Sequence, residues 1–193
     1  MKLQKTTLIL ILVALVLAIG VYFLEIQRAG QLNNNNQANQ QKLFDFNESE
    51  IIGLSISKVI DNKPQVISLV RGDQKKSLWQ IQQPENFPAN DAVVDFLVGL
   101  LVETRTNPPL VMTDNQFIEY GLNLPLATIE IKLQNQQTFQ LILGKQTFNK
   151  NSVYAAKVTG NNGNSQISPK QVFLVPLNFQ NAVDRPLSEW KMS

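Results

Sequence analysis

The chain has 193 residues and contains neither cysteine nor histidine. Those absences exclude Cys–His and Ser–His–Asp nucleophilic sites, thiol redox chemistry and ordinary zinc sites, and they leave stability to a hydrophobic core rather than to disulfides. The formal net charge of +2 is carried by Lys2 and Lys5, since removing these two from the 17 basic residues leaves 15 against 15 acidic ones; the neutral remainder has no electrostatic footprint for nucleic acid.

In chain order, residues 1–6 carry the two lysines and residues 7–24 (TLILILVALVLAIGVYFL) form an uninterrupted apolar run. Eighteen residues at ~1.5 Å each reach ~27 Å, enough to cross a ~30 Å hydrocarbon core. The lysines keep the N-terminus in the cytoplasm by the positive-inside rule, so the remainder is exported. A cleaved signal peptide is the rival reading, with Ala18-Ile19-Gly20 as its cleavage site. Val21 to Leu24 continue the run past that point, which favours a retained anchor. No cysteine is present to carry a lipoprotein acyl group. Residues 25–42 form a tether, and within it 31–41 (QLNNNNQANQQ) holds nine Asn or Gln in eleven positions. Such a tract buries no apolar surface and is expected to stay disordered.

An exported α+β domain is expected over residues 43–193. Ile52, Leu54, Ile56 and Lys58 alternate as a half-buried strand, Val66, Ser68 and Val70 share a face of the next, and SLWQIQ at 77–82 gives a third. Asn90 or Asp91 caps a helix whose apolar positions 93, 94, 97, 98, 100 and 101 cover over half its circumference. Asn107-Pro108-Pro109 breaks the chain. Thr113 or Asp114 caps a short helix that Gly121 ends in a left-handed conformation. Strands follow at 128–133, 138–143, 152–158 and 171–175, then a short helix at 177–183. Strand–strand–strand–helix thus occurs twice, which suggests repeated sub-units at about 43–107 and 108–193. Short turns make the strands antiparallel.

Taken in order, Leu43-Phe44-Asp45-Phe46, Trp79-x-Ile81-x-x-Pro84, Ala89-Asn90-Asp91 at a helix start, Glu119-Tyr120-Gly121-Leu122 with Pro125, Leu143-Gly144-Lys145, Val153-Tyr154 and Val172-Phe173-Leu174-Val175 resemble the domain-of-unknown-function 4340 family. The resemblance implies one N-terminal membrane segment and an exported α+β domain. Some members accompany ABC-type transport systems linked to gliding motility and others occur in cyanobacteria, which this Asn/Gln-rich chain resembles. The resemblance therefore implies transporter components as partners, and it supplies no catalytic residue.

Other motifs have plain structural readings. Trp79 reads as a core anchor, with a stacking platform for a ring as the alternative. Trp190, near the chain end, either caps the fold or contacts a partner. These two are the candidate interaction residues. Asp45, Glu48 and Glu50 lack the spacing of a calcium loop, and Asp91 with Asp95 lacks the makings of an acid–base pair. Leu143-Gly144-Lys145 is no phosphate loop, and Gly144 is read as relieving a strand end. No catalytic, cofactor or metal residue is expected. The expected function is non-enzymatic: a single-pass protein of the plasma or thylakoid membrane whose periplasmic or lumenal domain binds other membrane or envelope proteins. The alternative is a ligand-binding or carrier module with its pocket between the two repeats.

Overall fold

The computed structural model describes residues 39–60, 63–72, 78–161, 164–166 and 171–192. The apolar run at 7–24 and most of the tether lie outside them; among the described residues no helix is long and apolar enough to cross a membrane. In chain order the elements are β1 (Gln41–Lys42), β2 (Ile51–Ile60), β3 (Lys63–Arg71), β4 (Trp79–Gln83), β5 (Phe87–Pro88), α1 (Asp91–Glu103), β6 (Arg105–Thr106), β7 (Leu110–Val111) and α2 (Asp114–Glu119). There follow β8 (Ala127–Leu133), β9 (Thr138–Gln146), β10 (Ser152–Asn161), β11 (Asn164–Gln166), β12 (Gln171–Pro176), α3 (Asn178–Val183) and α4 (Leu187–Trp190). The fold is α+β with antiparallel sheets.

One sheet dominates, in the order β5-β4-β3-β2-β8-β9-β10-β12-β7, with β11 paired to β10. Two meanders, β2–β3–β4 and β8–β9–β10, join through their first strands, with Ile56 opposite Ile129 and Ser57 opposite Thr128. Period-two alternation puts Leu54, Ile56, Ile67, Leu69, Ile129 and Ile131 on one face, where each is at most 6% exposed. A fully buried aliphatic side chain of this kind is worth about 1.5–3 kcal/mol. Val94, Leu97, Val98 and Leu101 of α1 pack on that face together with Phe179 and Val183 of α3 and the segment Leu43, Phe44 and Phe46. A smaller cluster on the opposite face joins Phe117 and Leu122 to Ala156 and Val172.

Several expectations need correction. A bulge between Ile51 and Gly53 shifts the register of β2, so that Ile51 enters the core and Ile52 is only half-buried. Val66, Ser68 and Val70 do share a face of β3, and it is the outer one, with Ile67 and Leu69 turned to the core. Pairing begins at Gln41, opposite Thr106, inside the segment read as tether. Gly144 does not end a strand; β9 runs on to Gln146. The two-residue strands β1, β5, β6 and β7 and the helix α4 had no sequence signal of their own.

Candidate functional site

Concave surface gathers where the two meanders meet. The end of β2, the start of β3 and the start of β8 enclose a cleft of about 380 Å³ lined by Ser57, Val59, Pro64, Leu124, Pro125 and Thr128, together with Lys58. Alternation explains the lining, because Ser57 and Val59 point away from the face that carries Leu54 and Ile56. The loop after α2 then lays Leu124 and Pro125 beside them. Leu124 is 83% exposed and Val59 65% exposed, with Val66 and Ile60 less so. The cleft offers two hydroxyls and apolar wall. Among the described residues that line it there is no carboxylate side chain. It can bind an apolar group and orient it weakly.

Two lysines continue inner, core-facing rows, one towards the end of β2 and one in the middle of β10. Lys58 follows Leu54 and Ile56, and its Nζ donates to the Val183 carbonyl at 2.8 Å, at the end of α3. Lys157 follows Val153 and Ala155 on β10, and its Nζ donates to the Leu43 carbonyl at 2.7 Å. Lys157 also lies 4.7 Å from the centre of the Phe173 ring and 5.5 Å from that of Phe44. Burial pushes the pKa of this ammonium below the usual lysine range, with Asp45 acting in the opposite sense. Around it Asp45, Glu50, Asn135, Gln137 and Phe139 line a polar cavity of about 370 Å³. The lysine straps the segment leading in from β1 onto the sheet, where Phe44 stacks on Phe46 at 5.0 Å and meets Phe139 edge-on at 5.8 Å.

Trp79 and Trp190, the two candidate interaction residues, are 1% and 0% exposed and belong to the main core. Trp79 anchors the start of α1. The Asp91 carboxylate accepts from the Leu78 and Trp79 backbone N–H groups at 3.0 and 3.1 Å, and the Arg71 guanidinium covers the Trp79 ring at 5.2 Å. Asn90 is the N-cap, so Asp91 serves the start of β4 rather than capping its own helix. The Trp190 carbonyl accepts from the Asn90 N–H at 2.7 Å, and Lys191 bridges to Ala89. The chain's last turn is therefore stitched to the same junction that Trp79 supports, and both indoles make their contacts inside the domain.

The acidic residues separate. Glu50 accepts from the Asn47 N–H at 2.6 Å, and Glu48 lies 3.9 Å from Arg71. Asp45 faces the Lys157 cavity. Asp95 has a pKa raised above the usual carboxylate range, chiefly by desolvation, then by the charges of Glu48 and Asp91, with Arg71 opposing.

A model of one family, described as "Domain of unknown function (DUF4340)", matches residues 79–192, more than half of the chain. The chain belongs to this family. No curated protein and no solved structure matches it. The match begins at Trp79, so Leu43 to Phe46 lie outside the matched residues.

Within the DUF4340 domain, two motifs far apart in sequence become one contact. Thr113 caps α2, accepting from the Gln116 N–H at 3.4 Å, and Gly121 ends it at φ 74°. The helix end lies directly on β9. The Tyr120 carbonyl accepts from the Lys145 N–H at 2.8 Å, and Lys145 Nζ donates to the Glu119 carbonyl at 3.0 Å. A Cβ on Gly144 would sit 2.3 Å from the Tyr120 oxygen. Tyr120 stacks on Tyr154 with centroids 4.0 Å apart. Glu119-Tyr120-Gly121-Leu122, Leu143-Gly144-Lys145 and Val153-Tyr154 thus build a packing knot. Sequence reasoning missed Leu124, Val59, Lys58 and Lys157. The lysines did leave a signal, since each continues an inward-facing row.

Proposed function

We propose that the chain is a non-enzymatic, single-pass membrane protein, anchored by residues 7–24 with its N-terminus in the cytoplasm. Its exported domain docks on another membrane or envelope protein, of which transporter components are the class the family resemblance implies. The membrane is the plasma or thylakoid membrane, and the domain is periplasmic or lumenal. The observation that carries this reading is the apolar crown at the meander junction, where Leu124 and Val59 stand exposed beside Pro64 and Pro125. Clustered apolar exposure is what a docking surface needs. The test is co-purification from solubilised membranes with full-length wild type and Leu124→Asp. A stoichiometric membrane partner with wild type, lost in the variant, is the expected result. A partner kept equally by both removes the crown from the interface, and protease attack on the domain from the cytoplasmic side overturns the topology.

A second reading is supported by the cleft itself. Each half holds a three-strand meander and a later helix, β2–β3–β4 with α1 after β5 and β8–β9–β10 with α3 after β11 and β12, and the cleft of about 380 Å³ lies on the seam between the first strands of the meanders. A small molecule retained stoichiometrically by the purified full-length chain would favour a carrier over a docking module.

A further inference from the structure

On the other side of the β2–β3 hairpin, a second cleft of about 350 Å³ lies against the link between α3 and α4. Its walls include Pro64, Ile67, Pro84 and Leu187, and Lys58 and Arg185 bring two cations to it. Lys58 spends one N–H on the Val183 carbonyl, and among the described residues no carboxylate pairs with it. Arg185 gives Nη1 to Glu189 at 2.8 Å, and its guanidinium lies 5.7 Å from the centre of the Phe96 ring. Among the described residues its Nε–H has no acceptor, and it is closed to solvent, so it is not a donor that the cleft can use. Glu189 offsets one of the two charges, so the cleft keeps a positive balance within apolar walls.

We propose that this cleft binds a small organic acid, its carboxylate between Lys58 and Arg185 and its short hydrocarbon body against Pro64, Pro84 and Leu187. A carboxylate suits the donors left over, namely the spare ammonium hydrogens of Lys58 and the Arg185 Nη donors that Glu189 leaves open, each of which makes a charge-assisted bond. A phosphate dianion would ask for more donors than these, and the apolar walls would not satisfy its remaining oxygens. The volume is at the small end of the range for ligand pockets. The site shares Lys58 and Pro64 with the first cleft but not Leu124 or Val59, so Leu124→Asp and the acid-binding measurement test the two readings separately.

The test uses the full chain in non-ionic detergent, with hexanoate as the probe and hexylamine and 1-hexanol as controls, followed by ligand-observed NMR. Hexanoate is expected to bind saturably and hexylamine not at all. Lys58→Gln and Arg185→Gln should each weaken hexanoate by roughly tenfold while leaving 1-hexanol unchanged. Arg185→Lys, which keeps the charge and removes the planar fork of donors, should fall between. Absence of saturable hexanoate binding, equal competition by hexylamine, or equal affinity in wild type and folded variants overturns the proposal. Should Arg185→Gln fail to fold, Lys58→Gln and the contrast between acid and amine decide it.

Discussion

Consider the two faces of β2 and β3. Towards α1 the rows read Leu54, Ile56 and Ile67, Leu69, all inside the main core. Away from it they read Ser55, Ser57, Val59 and Val66, Ser68, Val70, and none of these belongs to either core cluster. The same backbone hydrogen bonds serve both faces, so the ladder cannot account for the contrast. The first face holds the fold together through buried area. The second is left with short polar side chains and, at its end, the exposed crown of Val59 and Leu124. Further along the sheet α2 covers part of that same outer side, at Ala156 and Val172, while Leu174 on β12 stays 45% exposed. Stability and recognition are therefore expected to respond to different substitutions.

The sharpest way to break that division is to make one substitution on each side. Leu97 is fully buried beneath α1, whereas Leu124 is 83% exposed. An unpaired buried carboxylate costs several kcal/mol, against a total stability of about 5–15 kcal/mol for a domain of this size. Leu97→Asp should abolish the cooperative thermal transition. Leu124→Asp should leave the transition within about 0.5 kcal/mol of wild type and remove only the partner. If Leu124→Asp unfolded the domain, the crown would be part of the core and the comparison would fail.

A pair of glycines sharpens the same point with a smaller effect. A Cβ on Gly144 meets the Tyr120 carbonyl oxygen at 2.3 Å and the Leu122 Cδ2 at 3.1 Å, whereas one on Gly99 meets nothing within 4 Å. Gly144→Ala must lift the end of α2 from β9 and lengthen the hydrogen bond that the Lys145 N–H donates to the Tyr120 carbonyl, at a cost of about 1–3 kcal/mol. Gly99→Ala, mid-helix and unobstructed, should stabilise by about 0.5–1 kcal/mol. Urea midpoints of the two variants should move in opposite directions. A shared direction would show that the outer cluster is too loosely packed to resist a methyl group.

What the sequence made legible follows the reach of its signals. Alternation and the capping residues gave the long strands, α1, the Thr113 cap and the left-handed Gly121, because each depends on residues within a turn or two. The junction of the two meanders through Ile56 opposite Ile129 depends on pairing across more than seventy residues, and no local pattern records it. The two-residue strands β5, β6 and β7 are too short to alternate. Asp91 looks like a helix cap by its position, yet its carboxylate serves the Leu78 and Trp79 N–H groups of a neighbouring strand. Gly144 looked like a strand end because its reason, the Tyr120 carbonyl, comes from a distant loop. Trp79 was legible as a core anchor, Trp190 stood open between capping the fold and contacting a partner, and their joint hold on the segment from Ala89 to Asp91 was not legible. The exposed crown depended on knowing which loop meets which strand end.

The smallest expected effect concerns charge on α1. Asp95 is exposed on the side of the helix turned from the core, and its pKa is raised by desolvation and by Glu48 and Asp91. A raised carboxylate pKa means that the folded state holds its proton more tightly than the unfolded one. Below the ordinary value of 3.8 both states are protonated and Asp95 contributes nothing. As pH rises from 3.8 through the raised folded value the unfolded state ionises first, so this group withdraws stability, and the loss persists to neutral pH. Asp95→Asn should therefore melt slightly higher than wild type at neutral pH, and the difference should close as the solution is acidified below the ordinary range. Glu119→Ala, whose neighbouring contact to Lys145 is made by the backbone carbonyl, should differ little at any pH. An Asp95→Asn variant less stable than wild type at neutral pH would mean that Arg71 outweighs the repulsion. The acidic residues around Arg71 would then be a stabilising network rather than a tolerated crowd.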